Sequence, residues 1–379
     1  MEIIRLLSIL DFRIPKKKKY VFLSEVSFAR LKKIDIFKKF GLIPVLYEKI
    51  NIFIAIVTIY KNGLYDIKKN YLKNYINFVS PSIIVCYIDN YYLFYELYNF
   101  LKKKKIISIS IQNGMRTIVG DIFNLFSKNS RDLGCDYLLT LNKSTGKKFL
   151  EYISAKNIVI GSIQNNNNKI NNLNKKKKIL FISQFNENIM KNGFYDMGSK
   201  KIYSGKNFYK AEKIVLKFLV NFCKRNNFKF EIASNGLGNL NKEYNFFSSL
   251  IPTNFEFKLL KKTHENSTYE YSDEAEYTAF IESTAGYEAF ARRNKIVGFA
   301  IRGNFLDKTI GHSFAWPSKN ISEGPSWTSR NNIREFRRIE NFMLNSDNNE
   351  WSKIFDKYVE KIMIYDSNNS ILNNFFKKF

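Results

Sequence analysis

Short runs of apolar residues alternate with longer amphipathic stretches along the chain. Apolar runs of about four to eight residues between polar segments are typical of buried strands, whereas apolar residues three or four apart are typical of helices. In the first half, this pattern predicts helices at Leu93–Leu101 and Thr145–Ile153 and strands at Tyr20–Leu23, Ile52–Ile59, Ile83–Ile88, Ile106–Ile111, Tyr137–Leu141 and Ile158–Ile160.

The same alternation resumes after a polar stretch in the middle of the chain. Gln164–Lys178 consists largely of Asn and Lys, which predicts a solvated linker. Beyond it, the pattern predicts strands at Ile179–Ser183, Phe228–Ala233, Phe255–Leu260, Tyr277–Ile281 and Ile296–Ile301. It predicts helices at Tyr209–Lys224, Glu243–Leu250, Tyr287–Arg293, Glu335–Leu344 and Trp351–Phe379.

Continuous apolar strands that alternate with helices are typical of parallel sheets covered on both faces. The sequence therefore predicts an α/β fold with two Rossmann-like domains, an N-terminal one at 1–165 and a C-terminal one at 175–355. We expect a C-terminal helix at 356–379 to cross back to the first domain. In such sheets ligands bind beyond the carboxyl ends of the strands, so functional residues are expected there.

The chain carries a large positive charge, with 61 Lys and Arg residues against 34 Asp and Glu. Its 45% of hydrophobic residues can fill a core, which excludes a disordered chain. A charge of +27 attracts nucleic acid or anionic lipid, but the aromatic residues lie in apolar runs, which makes nucleic-acid binding the weaker alternative. Three lysine clusters predict peripheral contact with an anionic membrane, unless they only solvate loops: Lys16–Lys19, Lys102–Lys105 and Lys175–Lys178.

Cysteine and histidine are too few for a metal or redox centre. Cys86, Cys135 and Cys223 fit no ligand spacing and are expected to be buried thiols of a cytoplasmic protein. The chain has two histidines and no Asp-x-Asp pair, so no metal site is predicted. Because the sequence contains neither a P-loop nor a Gly-x-Gly-x-x-Gly turn, it predicts no NAD or FAD cofactor and no P-loop nucleotidase.

The strongest candidate site follows the predicted strand at Tyr277–Ile281. Ser283 and Thr284 come directly before a helix, whose first amides are unpaired and favour a phosphate group. Gly286 lacks a Cβ and would let a ligand approach the backbone, and Glu288 is suited to accept two hydroxyls of a ribose or sugar. The alternative is an ordinary capping box, but that motif requires a Glu three residues after the Ser or Thr, which is not found here.

Two segments of the first half also end predicted strands. One is the segment with Gln112, Asn113, Gly114 and Arg116, whose amide and guanidinium groups are expected to project into a cleft. The alternative is a hairpin, because Asn-Gly is typical of a tight turn between two antiparallel strands. The other segment contains Asp89, which is either a general base or the N-cap of the next helix, and the local pattern slightly favours the cap.

The remaining candidates are less specific. Four residues end strands of the second half and are either contacts for a phosphate or base or ordinary loop residues: Ser183, Gln184, Asn235 and Gly236. His264 lies in a polar loop, where a histidine is more often solvated than catalytic. Arg302 follows the strand after the Glu288 helix and is suited either to a diphosphate or to the surface.

One segment resembles a known family. Ser283–Arg292, with the sequence STAGYEAFAR, resembles the second-domain signature of bacterial surface-carbohydrate biosynthesis transferases with the GT-B fold. Ala285 stands where that signature usually has Leu, which is a change in packing. In the first half, Ile88–Asn90 and Ile111–Arg116 are also similar to this group, so the resemblance covers separate motifs between residues 80 and 305.

The resemblance implies two Rossmann-like domains that face each other across a cleft and bind different substrates. It implies that the C-terminal domain holds a nucleotide-sugar donor, with the phosphate at Ser283, Thr284 and Gly286 and the ribose or sugar hydroxyls at Glu288. The N-terminal domain would hold the acceptor glycan, facing Gln112, Asn113 and Arg116.

The resemblance also implies a reaction. In an inverting enzyme the base would be a carboxylate of the first domain, with Asp89 as first choice and Asp121 as second. Helix amides and basic side chains, and not a metal, would neutralise the leaving group. The predicted function is thus glycosyl transfer, without metal or cofactor, to a cell-surface or lipid-linked glycan such as capsule or O-antigen. The alternatives are a nucleotide-sugar epimerase or isomerase on the same scaffold and a basic nucleic-acid-binding protein.

Overall fold

The computed structural model describes residues 9–116, 123, 132–171, 174–196, 200–306 and 312–379. Each half of the chain contains a six-stranded sheet in which all neighbouring strands are parallel. The prediction of an α/β fold with parallel sheets is therefore confirmed. The domain boundaries proposed from the sequence stay a prediction.

The strands of the first half are short and apolar. They are β1 Leu10–Asp11, β2 Tyr20–Leu23, β3 Gly41–Ile43, β4 Ile50–Asn51, β5 Ile83–Cys86, β6 Ile107–Ile111, β7 Gly134–Thr140 and β8 Ser154–Val159. β1 pairs with β4, and the first sheet has the order β3-β2-β5-β6-β7-β8. Val21 and Ile84 face one core and Phe22 and Ile83 the other, because successive side chains of a strand point to opposite faces.

Helices connect these strands and cover both faces of the first sheet. The described helices of the first half are α1 Glu25–Leu31, α2 Ile52–Asn62, α3 Ile67–Val79, α4 Tyr92–Glu96, α5 Tyr98–Lys103, α6 Lys143–Phe149 and α7 Ile163–Asn166. Tyr71 and Ile76 of α3 pack in the core that contains Val21, whereas Leu31 of α1 packs in the core that contains Phe22.

The second sheet has the order β13-β12-β9-β14-β15-β16, and β10 pairs with β11 in a small antiparallel ribbon. The strands are β9 Lys176–Ile182, β10 Phe194–Asp196, β11 Lys201–Tyr203, β12 Lys229–Ala233, β13 Lys258–Leu260, β14 Ala275–Phe280, β15 Ile296–Phe299 and β16 Trp327–Thr328. The helices are α8 Glu187–Asn192, α9 Gly205–Phe208, α10 Lys210–Asn226, α11 Leu240–Leu250, α12 Ser267–Glu274, α13 Thr284–Ala291, α14 Ile333–Asn345, α15 Asn348–Ile362 and α16 Ser370–Phe376. Of the helices described, none has the length and apolar composition needed to cross a membrane.

The strand predicted at Ile52–Ile59 is wrong, because this segment forms α2. The Asn51 side chain accepts a hydrogen bond from the amide of Ile54, which caps the helix at its start. Ile54 and Thr58, four residues apart, are buried on one face, while Ile56 and Ile59 are exposed. A run in which nearly every residue is apolar hides this helical spacing from a pattern analysis.

The polar stretch between the two halves is only partly a solvated linker. Its first residues belong to α7, where Asn165 and Asn166 are buried. The Asn166 amide donates to the carbonyl of Ile160 at 2.7 Å and thereby satisfies a buried backbone oxygen. At the other end, Lys176 already begins β9. Buried amide side chains explain why an Asn-rich segment can leave the solvent.

The end of the chain returns to the first sheet. Trp351 and Phe355 of α15 pack against Phe290 in the core of the second half. After α15 the backbone leaves the helical conformation, since Asn368 and Asn369 have left-handed φ values of 57° and 53°. In α16, Phe376 packs against Phe37, and Phe375 packs against Tyr137 of β7.

The two sheets meet at the carboxyl ends of their strands. The amide of Met115, which follows β6, donates to Oγ1 of Thr284, which follows β14, at 3.1 Å. Ser162, which follows β8, donates to the Glu288 carboxylate of α13 at 2.5 Å. Loops at equivalent edges of two parallel sheets therefore face each other, which is the arrangement that the resemblance implies.

Candidate functional site

The loop between β14 and α13 lies where the two sheets meet. Ser283 occupies the N-cap position of α13 with an extended backbone, but its side chain makes no capping hydrogen bond. Ser283 and Thr284 are half-buried, and the Thr284 hydroxyl accepts the amide of Met115. The start of α13, with the side chain of Ser283, thus lies at the interface between the domains, and the phosphate site expected there stays a prediction.

Gly286 has a packing role that the sequence did not reveal. A Cβ at this position would lie 2.1 Å from Cγ of the Phe280 ring, which is much closer than any real contact. The Gly286 amide also donates to the carbonyl of Ser283 at 3.0 Å. Close packing of α13 on β14 explains why this residue is a glycine, and the approach of a ligand to its backbone stays a prediction.

Glu288 is buried, with 7% of the residue exposed, although the sequence suggested a carboxylate that accepts the hydroxyls of a bound ribose or sugar. Its side chain is held by Ser162, which donates at 2.5 Å, and by Tyr269, which donates at 3.1 Å. Burial raises the pKa of this carboxyl despite these hydrogen bonds. Arg292, one turn later, forms an ion pair with Asp273. The contacts of Glu288 are therefore those of a residue that fixes α13 to the first domain.

Arg302 is the centre of a buried cluster of charges. Its guanidinium donates to Glu282 at 2.9 Å and also to Glu212 of α10. It lies 4.1 Å over the ring of Phe208 and contacts the amide oxygen of Gln184 at 3.4 Å. Since two carboxylates already engage this guanidinium and only 2% of its side chain is exposed, the cluster disfavours direct pairing of Arg302 with a diphosphate.

His312 completes this cluster and was not predicted from the sequence. Its Nδ1 lies 2.8 Å from Glu282 Oε1. Although burial opposes ionisation of Glu282, the charges and hydrogen bonds of His312 and Arg302 outweigh it and lower its pKa to about 2. An ionised carboxylate accepts, so Nδ1 of His312 carries the proton. We define the Arg302 cluster as Arg302, Glu212, Glu282 and His312.

The Arg302 cluster contains three polar atoms that lack partners within the described part of the chain. They are Nε of Arg302, Oε2 of Glu212 and Nε2 of His312, and all three are buried. A buried polar atom without a hydrogen bond costs about 1–3 kcal/mol, so such atoms require an explanation. Glu282 directly precedes Ser283 in the chain, which joins the cluster to the start of α13.

Gln184 and Ser183 hold the ends of strands in place. The Gln184 side-chain oxygen accepts the amide of Glu282 at 3.3 Å, which ties the loop after β9 to the Arg302 cluster. Ser183 is buried, donates to Glu243 and accepts the amide of Phe185 at 3.1 Å. Of these two predicted donor contacts, only Gln184 is partly accessible. Ser183 is buried, and its hydroxyl is hydrogen-bonded to Glu243 and to the amide of Phe185.

Asn235, Gly236 and His264 make local contacts. Asn235 donates to the carbonyl of Phe185 and accepts the amide of Leu237 at 2.7 Å, as in an ordinary loop. Gly236 is exposed, and its φ of +71° explains the glycine. His264 is about half-exposed and lies 3.2 Å from Glu270. These contacts favour the solvated, structural alternative for His264.

The segment after β6 is a strand exit, as predicted, and the hairpin alternative is wrong. β6 pairs in parallel with both β5 and β7, so no antiparallel turn follows it. Gln112 is buried and braces this loop, since it accepts the amide of Leu141 at 3.0 Å and donates to Gly114 at 2.8 Å. A Cβ at Gly114 would lie 3.2 Å from Oγ1 of Thr284. Asn113 is the exposed side chain of this group.

Asp89 forms a buried ion pair with Arg116. Nε of Arg116 lies 2.7 Å from the carboxylate, which also accepts the amide of Asn113 at 3.2 Å. The cap alternative is wrong, because α4 begins after Tyr91 without a side-chain cap. A general base has to reach its substrate, whereas Asp89 is fully buried and paired, so positioning of the loop is the role its contacts support. Asp121 lies outside the described residues.

Within the described ranges, no group of three His, Cys, Asp or Glu side chains has the geometry to hold a metal ion. The candidate site is thus the region between the two domains that contains the Arg302 cluster, Gln184, the start of α13 and, on the opposite side, Asn113.

Comparison with solved structures identifies the fold. UDP-GlcNAc 2-epimerase from Methanocaldococcus jannaschii, in complex with UDP-GlcNAc and UDP, superimposes with a TM-score of 0.50 at 11% identity over 95% of this chain and 99% of the epimerase. The wall teichoic acid polymerase TagF gives 0.48 at 11% identity over 96% of this chain and 89% of TagF. MurG from Acinetobacter baumannii gives 0.48 at 10% identity over 96% of this chain and all of MurG. The two parallel sheets, together with the match to the epimerase at a TM-score of 0.50, show the GT-B fold, so the predicted fold class is confirmed.

Sequence comparison identifies the family. No curated protein matches the chain. Residues 109–379 match the model of a family described as "putative O-antigen biosynthesis protein". This match includes the end of the first sheet, all of the second sheet and the Arg302 cluster. Because it covers well over half of the sequence, the chain belongs to this O-antigen biosynthesis protein family.

Proposed function

We propose that the protein is a glycosyltransferase that moves a sugar from a nucleotide-sugar donor to a glycan acceptor in the synthesis of a surface polysaccharide. The observation that carries this proposal is the Arg302 cluster, with three unpartnered polar atoms beside the start of α13. Membership of an O-antigen biosynthesis family supports a glycan as acceptor. The GT-B fold supports a ligand between the domains, because ligands of parallel sheets bind at the carboxyl ends of strands.

The donor would bind on the second domain at the start of α13. The Ser283 hydroxyl and the amides of Thr284 and Ala285 are suited to the oxygens of a diphosphate, because the helix dipole adds positive charge there. His312 would supply a further contact. Its Nδ1 is held by Glu282, which leaves Nε2 for a phosphate oxygen or for a proton that moves during transfer.

The acceptor would lie on the first domain, opposite the donor. Asn113 offers an exposed amide on that side. Asp89 and Arg116 would position the loop that carries it, and Asp121 stays the proposed base of an inverting reaction. We propose that hydrogen bonds from His312 and from the amides at the start of α13 stabilise the leaving group, so that transfer requires neither a divalent ion nor a cofactor.

An epimerase is the second candidate, because an epimerase has the same fold at a TM-score of 0.50. The fold alone does not separate the two activities. A transferase consumes its donor only when an acceptor is present, whereas an epimerase converts its nucleotide sugar without one. A nucleic-acid-binding protein would instead show a steep salt dependence of RNA affinity.

We also propose that the enzyme works at the cytoplasmic face of a membrane that carries its lipid-linked acceptor. The lysine clusters of the sequence are badly placed for this contact. Lys19 precedes β2, Lys105 lies just before β6 and Lys176 begins β9, so all three clusters are at the amino ends of strands. Those edges lie opposite the edges where the two domains meet, which favours the alternative that these clusters only solvate loops.

A panel of nucleotides and nucleotide sugars tests the donor site. Calorimetric titration with UDP, GDP, CMP and CDP and their sugars should identify one nucleotide that binds. His312→Gln should then weaken binding about tenfold or more, because a hydrogen bond to a charged group contributes about 1.5–3 kcal/mol. His264→Gln, at an exposed site, is the matched control and should bind like the wild type. Equal affinity of both variants, or no binding by the wild type, would contradict the proposed donor site.

A further inference from the structure

A group of large apolar side chains is exposed at one end of the first domain. Ile59, Tyr60, Leu64 and Tyr65 lie at the end of α2 and in the turn before α3, and between 50% and 90% of each residue is exposed. Ile56, one turn earlier, is also exposed. We call residues 56–66 the apolar tip. Single exposed apolar residues are common, but a contiguous group of this size marks an interaction surface.

The exposure of the apolar tip follows from the geometry of α2. Ile54 and Thr58 face the core, and the Thr58 hydroxyl donates to the carbonyl of Ile54. Ile59 and Tyr60 lie three and four residues after Ile56 and share another face of the helix with it. Gly63 then ends α2 with a φ of +60° and allows the sharp turn toward α3. The tip is thus the convex end of a helical hairpin.

The apolar tip lies on the same side of the first sheet as the candidate site. α3 ends at the amino edge of the sheet, where the amide of Lys18 donates to the carbonyl of Val79. With 13 residues, α3 is about 20 Å long. It leads into β5 by a crossover, so its first turn and the apolar tip are at the opposite edge. That edge also carries Asn113 and Arg116.

We propose that the apolar tip inserts into the interfacial region of a lipid bilayer with anionic headgroups. Tyr side chains are enriched at this depth of a membrane, and Ile and Leu reach the boundary of the acyl chains. Lys61 and Lys68 flank the apolar residues and are exposed, whereas Asp66 is the one acid in residues 52–73. Each lysine near an anionic surface strengthens binding.

The shape of the apolar tip favours a bilayer over a protein partner. Protein interfaces bury a broad, complementary patch, whereas here a narrow hairpin end projects side chains that are largely exposed on their own. Insertion of such an end requires no complementary surface. The docking itself is independent of the enzymatic activity. Its consequence rests on the proposed function: a membrane at this edge would present a lipid-linked acceptor to the first domain.

Vesicle binding tests this proposal. The double variant Tyr60→Ser, Leu64→Ser should bind vesicles with about 30% phosphatidylglycerol at least tenfold more weakly than the wild type, at roughly 0.1 M salt. The double variant Lys61→Gln, Lys68→Gln should lose affinity for these vesicles, but not for vesicles of phosphatidylcholine alone. The matched control is Ile202→Ser, Ile333→Ser, which removes two apolar residues of the second domain that are about 70% exposed and should bind like the wild type.

Three results would overturn the proposal. They are a wild type that does not bind the anionic vesicles, equal vesicle affinity of the tip variant and the control, and a wild-type dimer that the tip variant converts to a monomer in light scattering. The last result would identify a second copy of the chain as the occupant. Nucleotide affinity should be unchanged in the tip variant, so that loss of membrane binding is distinguishable from failure of the proposed donor site.

Discussion

Glu282→Gln tests whether the charge of Glu282 holds the Arg302 cluster together. The pKa of Glu282 is lowered to about 2 from its usual 4.5, because His312 and Arg302 outweigh the effect of burial. At about 1.4 kcal/mol per pKa unit, this difference corresponds to roughly 3 kcal/mol of unfolding free energy. We therefore expect the variant, which keeps the size of the side chain but not its charge, to be about 3 kcal/mol less stable at neutral pH.

The stability that Glu282 contributes should decrease as the pH falls. The folded state lowers the pKa, so the stabilisation by Glu282 is complete above about pH 4.5 and is lost as the pH falls toward 2. Urea denaturation followed by tryptophan fluorescence suits this measurement, since Trp316, Trp327 and Trp351 are all buried. The free-energy difference between wild type and variant should be constant from neutral pH to about pH 5 and should shrink below it.

The exposed Glu256 provides the control, because Glu256→Gln should change the free energy of unfolding by less than about 0.5 kcal/mol. Two results would refute the reasoning. One is a Glu282→Gln variant as stable as the wild type at neutral pH. The other is a difference in stability that stays the same at pH 3.

Substitutions at three further residues test the roles assigned above. Gly286→Ala should lower the free energy of unfolding, measured by denaturation, by about 1–3 kcal/mol or more, because the new Cβ would overlap the Phe280 ring. A variant as stable as the wild type would contradict this packing role. Glu288→Ala should lower the free energy of unfolding by about 2–4 kcal/mol, because it removes the acceptor of two buried hydroxyls. Glu288→Gln should lower it less and should leave nucleotide affinity in calorimetry unchanged. A loss of affinity in Glu288→Gln would instead support a role of Glu288 in donor binding. Asp89→Asn should lower stability by about 3–5 kcal/mol by breaking a buried ion pair, whereas unchanged melting with complete loss of transfer would identify Asp89 as a base.

The fold was predictable because parallel strands have a strong signal. Runs such as Ile83–Cys86 are buried on both faces and therefore have no polar residue at all. The same rule failed at Ile52–Ile59, because a helix with one face in the core and its apolar tip exposed also produces a continuous apolar run. The buried start of α7 was missed for the opposite reason, since Asn165 and Asn166 are polar and yet buried.

The position of the candidate site was predictable, but the contacts of its residues were not. Strand ends are recognisable in the sequence, and they led to Gln184, Ser283 and Asn113. Contacts between residues far apart in the chain have no such signal. Glu212 and Arg302 are separated by 90 residues, and each looks like an ordinary surface charge when only its neighbours in the sequence are considered.

The burial of individual side chains was the property hardest to predict from the sequence. Glu288 follows a helix start, where a carboxylate is usually solvated, and nothing nearby indicates that Ser162 of the other domain covers it. His312 lies in a segment without clear periodicity, so its contact with Glu282 depends on the tertiary fold alone. The burial of both residues is set by the approach of elements that are distant in sequence.

Transfer of a labelled sugar is the most direct test of the central claim. The purified protein would be incubated with the nucleotide sugar that it binds, with and without a lipid-linked glycan fraction, in excess EDTA. We predict that label appears in the glycan and that nucleotide is released only when the acceptor is present, and that His312→Gln lowers this rate while His264→Gln does not. Conversion of the nucleotide sugar in the absence of acceptor, or no transfer of label by a protein that binds the donor, would contradict the proposed glycosyltransferase.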